Sequence, residues 1–222
     1  MQIILLPGLD GTGELFIPLI KELPTSVTSK IIKYDVHKEQ SYDELIEYVI
    51  EQLPSEPFIL VAESFSGFIA YNIGLKKPKY LKHIIFVATF LKNPRPKIWY
   101  IFANRYIFSL KIPQVLIKVL FLGFSVKNNV INLFQESIYS VSSKVLYFRL
   151  MQVKNLSFSK EILTLKTTYI QAKNDKLVPK YALNDFTNIC EDLNIFKIKA
   201  NHLILQAEPK KCSEIPNNEI EK

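Results

Sequence analysis

Short apolar runs rich in β-branched residues recur along the chain at Gln2 to Leu6, Lys30 to Asp35, Phe58 to Ala62, Ile84 to Thr89, Thr167 to Ala172 and Ile195 to Lys199. Runs of this length and continuity describe strands buried on both faces. Between them lie longer stretches whose apolar positions recur at helical spacing: Gly13 to Leu23, Tyr42 to Leu53 with Ser41 as N-cap, Ser66 to Lys76 stopped by Pro78, and Tyr181 to Leu193. Strand and helix in alternation predict an α/β fold, a mostly parallel sheet flanked by helices.

The rhythm fails at about 91–166, which Pro94 and Pro96 open and in which no convincing strand appears. Ile98 to Leu110 and Pro113 to Leu122 read as short helices rich in Trp, Tyr, Phe and Leu, and Asn129 to Met151 as one or two more. The expected organisation is a single domain, 1–222, carrying this segment as a helical cap insertion. Its aromatic residues either close the core from above or line an acyl-chain pocket. Residues Pro216 to Lys222 are polar and are expected to fray.

Composition narrows the class. A chain of 222 residues with 48% apolar content can bury a full core. Its 28 Lys and Arg against 21 Asp and Glu give a net charge of +7. These cations are scattered, not gathered into an arm, which favours a lysine-rich solvated surface over a nucleic-acid groove. Cys190 and Cys212 cannot make a disulfide framework, and with His202 between them they match no compact zinc motif. A reducing cytoplasmic setting fits them. The start, Met1 to Gly8, has no basic leader and reads as a buried strand, not a signal peptide. The most apolar region, Ile98 to Val126, is broken by Arg105, Lys111, Pro113 and Lys118, so no transmembrane segment is expected.

The most informative segment is Phe58 to Ala70, where a buried strand passes into a helix through a very short turn with Ser64 at its point. A nucleophile elbow needs this arrangement, because the turn lifts a serine hydroxyl clear of the sheet and small flanking residues let strand and helix approach. Those flanks are Ala62 and Ser66, where glycines are usual, and Gly67 follows. The plainer reading is a serine capping an ordinary helix.

A serine hydroxyl is a weak nucleophile and needs a base, itself oriented by a third group. Of the three histidines, His37 follows the second strand, and His83 lies just before the fourth at the far end of the sheet. His202 lies in the turn after the last strand, at the carboxyl edge, and is the best base. Asp175, just past the fifth strand at the same edge, is the acid. The order serine, acid, histidine is the chain order expected where a parallel α/β sheet carries a nucleophile elbow, and reactive sites in open α/β sheets gather at that edge.

Acyl transfer also needs donors for the oxygen on which charge grows. The turn Leu6 to Gly13 suggests the backbone N–H of Leu9, with that of Phe65 as the second donor. Asp10 either contacts substrate or caps the next helix; the cap is favoured. Gly8, Gly11 and Gly13 after a strand also evoke a nucleotide site, but Gly-x-x-Gly-x-Gly is not the dinucleotide fingerprint, and no P-loop Lys follows.

With its "LPGLDGTG" opening, "ESFSG" elbow, "NDKLVP" acid loop and "NHLILQAEP" histidine loop, the chain resembles small bacterial esterase-like members of the α/β-hydrolase superfamily over nearly its whole length. The resemblance implies hydrolysis of carboxylic esters, thioesters or related acyl bonds, with Ser64, Asp175 and His202 in the triad positions and no cofactor. Similar openings occur in acyl-transferring relatives. Asn201 stands where a glycine commonly precedes the histidine; Asn tolerates left-handed backbone angles, so the turn is expected to survive.

The aromatic residues Trp99, Tyr100, Phe102, Tyr106, Phe108, Phe121 and Phe124 suggest an apolar acyl group, with Trp99, Phe102, Tyr106 and Asp10 as substrate contacts. Arg95, Lys97, Arg105, Lys111 and Lys118 would suit an acidic acyl carrier protein presenting an acyl methyl ester. The rival class is a non-catalytic module in which Ile98 to Phe124 lies on a membrane surface or against a partner.

Overall fold

A computed structural model describes residues 1–96, 112–119, 123 and 126–220, side chains excepted at 217–220. Six strands form one all-parallel sheet: β1 (Gln2–Leu6), β2 (Thr28–Ile31), β3 (Phe58–Glu63), β4 (Leu81–Val87), β5 (Thr167–Ala172) and β6 (Leu193–Ile198). Their spatial order is β2-β1-β3-β4-β5-β6. The chain leaves β1 in one direction to form β2 and returns on the other side as β3, so the order reverses between β1 and β3. The carboxyl ends of those two strands therefore open a crevice of the kind in which α/β sheets hold ligands.

Alternation along the central strands divides the core in two. Ile4, Leu6, Leu60, Ala62, Ile84 and Phe86 point to one face and meet Leu45 and Val49 of α2 (Tyr42–Ile50), Ile69 and Ile73 of α3 (Gly67–Leu75), and Phe186 of α7 (Leu183–Ile189). Ile3, Leu5, Ile59, Val61, Ile85 and Val87 point to the other and meet Leu19 of α1 (Ile17–Glu22), Ile204 and Leu205 of α8 (Ile204–Ala207), and Cys212 and Ile215 of α9 (Pro209–Ile220). Both faces being covered explains why the strands read as continuous apolar runs.

Between β4 and β5 the described residues form α4 (Gln114–Ile117), α5 (Asn128–Tyr139) and α6 (Ser143–Lys154). Two small clusters seat these helices over the carboxyl edge. Ile117, Val126, Val130 and Ile131 pack with Leu15 and Leu203, while Val141, Val145 and Leu146 pack with Leu9 and Val36. The expected helix Ile98 to Leu110 lies outside the described residues.

Several boundaries differ from the sequence reading. β2 ends at Ile31, not Asp35, because the backbone N–H of Tyr34 turns to the carbonyl of Gly11 in the loop after β1. The helix expected from Tyr181 stops at Ile189, which frees Leu193 to open β6. His83 lies within β4, buried, with Nε2 2.9 Å from Thr168 Oγ1. α9 runs to Ile220, into the segment expected to fray, and ahead of that segment Cys212 and Ile215 are buried against the sheet. No helix among the described residues is long and apolar enough to cross a membrane.

Candidate active site

β3 delivers Ser64 to the carboxyl edge, where a single 3-10 turn (Ser64–Ser66) leads into α3. Ser64 adopts φ 50°, a left-handed conformation that a non-glycine residue holds only when its surroundings enforce it. The enforcement is visible. Thr89 Oγ1 donates to the Ser64 carbonyl, Tyr169 donates to the Thr89 carbonyl at 2.7 Å, and Tyr42 donates to the Phe65 carbonyl at 3.3 Å. At Gly67, where φ is an ordinary −61°, a Cβ would overlap the Thr89 side chain, so glycine serves closeness of approach there.

Ser66 takes one of the usual glycine positions and gives a hydrogen bond in return. Its hydroxyl donates to the Pro7 carbonyl. With that proton committed, the Tyr34 hydroxyl, 2.6 Å away, is the donor to Ser66 Oγ. Burial pushes the Tyr34 phenol well above its ordinary pKa, so it stays protonated.

The three residues chosen from the sequence meet at this edge. His202 Nε2 is 2.9 Å from Ser64 Oγ, and His202 Nδ1 is 2.8 Å from Asp175 Oδ2. The other Asp175 oxygen accepts the backbone N–H groups of Leu177 and Val178 at 2.8 and 2.9 Å. This fixes the carboxylate plane, and the carboxylate in turn selects the tautomer with the proton on Nδ1, leaving Nε2 free to accept from serine. The acid and histidine loops are tied by the Lys173 N–H to the Ile198 carbonyl and the Asn174 N–H to the Ala200 carbonyl, at 2.9 and 3.0 Å. Asn201 is not left-handed. Its side chain instead accepts the Leu203 N–H at 2.8 Å, bracing the turn that holds His202.

Burial opposes a charge on His202, but the charge and hydrogen bond of Asp175, with a smaller contribution from Glu63, outweigh it and leave the imidazole above its ordinary pKa. Glu63, the residue before Ser64, is one that the sequence reading does not single out. It is buried; Oε1 accepts from Gln206 Nε2 at 3.0 Å, and burial pushes its pKa up to about 7. Gln206 also donates to the Leu15 carbonyl at 3.0 Å. The available signal was a carboxylate ending an otherwise apolar strand.

The proposed oxyanion donors flank the serine from two loops. Phe65 is the second residue of its 3-10 turn, a position whose N–H has no partner within the turn. Leu9 lies within the turn closed by the Gly11 N–H to the Gly8 carbonyl at 3.1 Å. Asp10 is buried, and its Oδ2 accepts from the Thr12 N–H at 2.9 Å and the Thr12 hydroxyl at 2.5 Å, so it staples the loop ahead of α1. Trp99, Phe102 and Tyr106 lie outside the described residues, as do Lys97, Arg105 and Lys111. Arg95 Nε donates to the Leu177 carbonyl of the acid loop at 3.0 Å, and Lys118 Nζ to Asn128 Oδ1 at 3.0 Å. No group of three or more His, Cys, Asp and Glu side chains among the described residues is placed to hold a metal ion.

No family model matches the chain, and no curated protein does. Solved structures do. An esterase from Exiguobacterium antarcticum superposes with TM-score 0.84 at 14% identity, over 100% of this chain and 92% of that one. A lipase-esterase related protein from Clostridium acetobutylicum superposes with TM-score 0.78 at 14% identity, over 98% and 93%. The RedJ thioesterase of the prodiginine pathway in Streptomyces coelicolor gives 0.73 at 14% identity, over 100% and 85%. The chain has the α/β-hydrolase fold.

Proposed function

We propose that this protein is a serine hydrolase that cleaves a carboxylic ester or thioester with an apolar acyl group through an acyl-enzyme. The observation that carries this reading is the unbroken line Ser64 Oγ, His202 Nε2, His202 Nδ1, Asp175 Oδ2, at 2.9 and 2.8 Å, at the point of a left-handed strand-to-helix turn. A capping serine would need neither the strained φ nor a histidine at hydrogen-bond distance.

In this mechanism Ser64 Oγ attacks the acyl carbonyl as His202 Nε2 takes its proton. The carbonyl oxygen gathers charge toward the N–H groups of Leu9 and Phe65. His202 then returns the proton to the departing alkoxide or thiolate as the acyl–heteroatom bond breaks. Water, deprotonated by the same nitrogen, releases the acid and restores Ser64. Asp175 orients the imidazole and stabilises the imidazolium. Esterases and a thioesterase among the structural neighbours support an acyl bond as the target. An acidic acyl carrier protein is the proposed bearer of that ester, drawn by the net charge of +7.

The test is labelling with a fluorophosphonate, peptide mapping, and a chain-length panel of p-nitrophenyl esters, on wild type and Ser64→Ala. Labelling at Ser64 that vanishes in the variant, with turnover lost by a factor on the order of 10⁴ or more, is expected. A folded wild type that neither labels nor turns over any ester defeats the reading and favours the non-catalytic module.

A further inference from the structure

Arg149 lies on α6, far from the triad in sequence, yet it is fully buried. Its Nη1 donates to the carbonyls of Leu9 and Asp10 at 3.0 and 2.8 Å, and its Nη2 to the carbonyl of Asp35 at 2.9 Å. Its hydrogen bonds reach no carboxylate among the described residues. The guanidinium carbon is 5.6 Å from the centre of the Tyr34 ring, whose hydroxyl holds Ser66. Gly11, at φ +72°, faces it: a Cβ there would come within 2.6 Å of Nη1.

The carbonyl groups of the loop after β1 account for the consequence. Pro7 accepts from Ser66, Gly8 from the Gly11 N–H and Gly11 from the Tyr34 N–H, and Leu9 and Asp10, among the described residues, from Arg149. Four of these five successive carbonyls are held from outside the loop, and that of Gly8 closes the turn within it. A peptide whose carbonyl is held on one side presents its neighbouring N–H on the other, and a loop of glycines and small turns has little else to prevent a flip. The Leu9 N–H shares its peptide with the Gly8 carbonyl, which the Gly11 N–H holds, and Arg149 holds the Asp10 carbonyl of the peptide that carries that Gly11 N–H; without Arg149 this peptide, and through it the Gly8–Leu9 peptide, would be free to rotate.

We infer that Arg149, resting on the hydrolase reading above, is a positioning residue that sets the oxyanion loop, so that the cap helix α6 holds the Leu9 N–H in its working orientation. Arg149 touches no reacting atom. Its contribution belongs to the stage at which the carbonyl has become an oxyanion, not to ground-state binding.

The experiment compares wild type with Arg149→Met, which keeps the stem, and Arg149→Lys, which keeps a buried cation but cannot span both loops. Thermal unfolding reports the fold, p-nitrophenyl butyrate hydrolysis gives kcat and KM, and octyl trifluoromethyl ketone reports the oxyanion. Ser64 Oγ adds to the ketone carbonyl, its proton passes to His202, and the carbonyl electron pair becomes the hemiketal oxyanion. The expected result is a kcat lower by about 100-fold in Arg149→Met and by about 10-fold in Arg149→Lys. KM should stay within about threefold, and ketone affinity should fall in step with kcat/KM. A folded variant with wild-type kcat, a loss of kcat/KM with ketone affinity unchanged, or failure of both variants to fold overturns the proposal; in the last case Arg149 holds the fold, not the loop. Wild type that neither hydrolyses the ester nor binds the ketone defeats the hydrolase reading itself, and is seen before any variant is compared.

Discussion

At the scale of single residues, two acids beside His202 differ in their hydrogen-bond partners. Asp175 accepts two backbone N–H groups besides the imidazole. Glu63 has one polar partner among the described residues, and burial pushes it up to about 7 from 4.5. Because the fold holds this proton more tightly than the unfolded chain does, its contribution is most favourable below about pH 4.5 and is lost as pH rises through about 7. The loss is about 3 kcal/mol. Glu63→Gln mimics the protonated form, so urea unfolding should find it more stable than wild type above pH 8, with the difference gone at about pH 4. The same variant bears on catalysis. His202 accepts the serine proton only when neutral, and its raised pKa puts the acid limb of kcat/KM on the alkaline side of 6.5. Removing the Glu63 charge should move that limb to lower pH; an unmoved limb would separate Glu63 from the imidazole.

At the scale of elements, the elbow works because a strand, a 3-10 turn and a helix are forced together over a very short path. Gly67 and Thr89 are the contact that permits it. Gly67→Ala costs nothing in backbone terms at φ −61°, yet its methyl group must displace a buried threonine that anchors the Ser64 carbonyl. A loss of about 2 kcal/mol is expected from overpacking, read from the urea midpoint, with part recovered in Gly67→Ala/Thr89→Ala. Full additivity of the two changes would show that the residues do not press on each other. Helix α2 illustrates the opposite case, an element legible from sequence. Ser41 accepts the Glu44 N–H while Glu44 reaches back to the Ser41 N–H, a capping box written in four consecutive residues.

At the scale of the whole molecule, the helices between β4 and β5 are tied to the carboxyl edge of the sheet in two places, by Ile117, Val130 and Ile131 on Leu203 beside His202, and by Val145, Leu146 and Arg149 on the loop after β1. The net charge of +7 acts over a longer range. If an acidic carrier delivers the ester, its kcat/KM should fall steeply between low salt and 0.5 M NaCl while a small neutral ester is unaffected. Equal salt responses would remove the carrier from the proposal.

The sequence by itself determined the strands, the order of the six parallel elements along the chain, and the choice of Ser64, Asp175 and His202, because alternation, tight-turn chemistry and position after a strand are local properties. Only the tertiary structure decided which strands neighbour one another, and with that the reversal between β1 and β3 that makes one crevice of two distant loops. Arg149 could be seen in the sequence only as a cation four residues from Val145 and four from Val153, on the buried face of its helix. Its partners are carbonyls more than a hundred residues away. The same holds for Glu63, whose shifted proton arises from burial, and burial is a property of the packed chain. Residue types set what chemistry is possible at the edge; the packing of distant segments around it fixes the distances at which that chemistry can proceed.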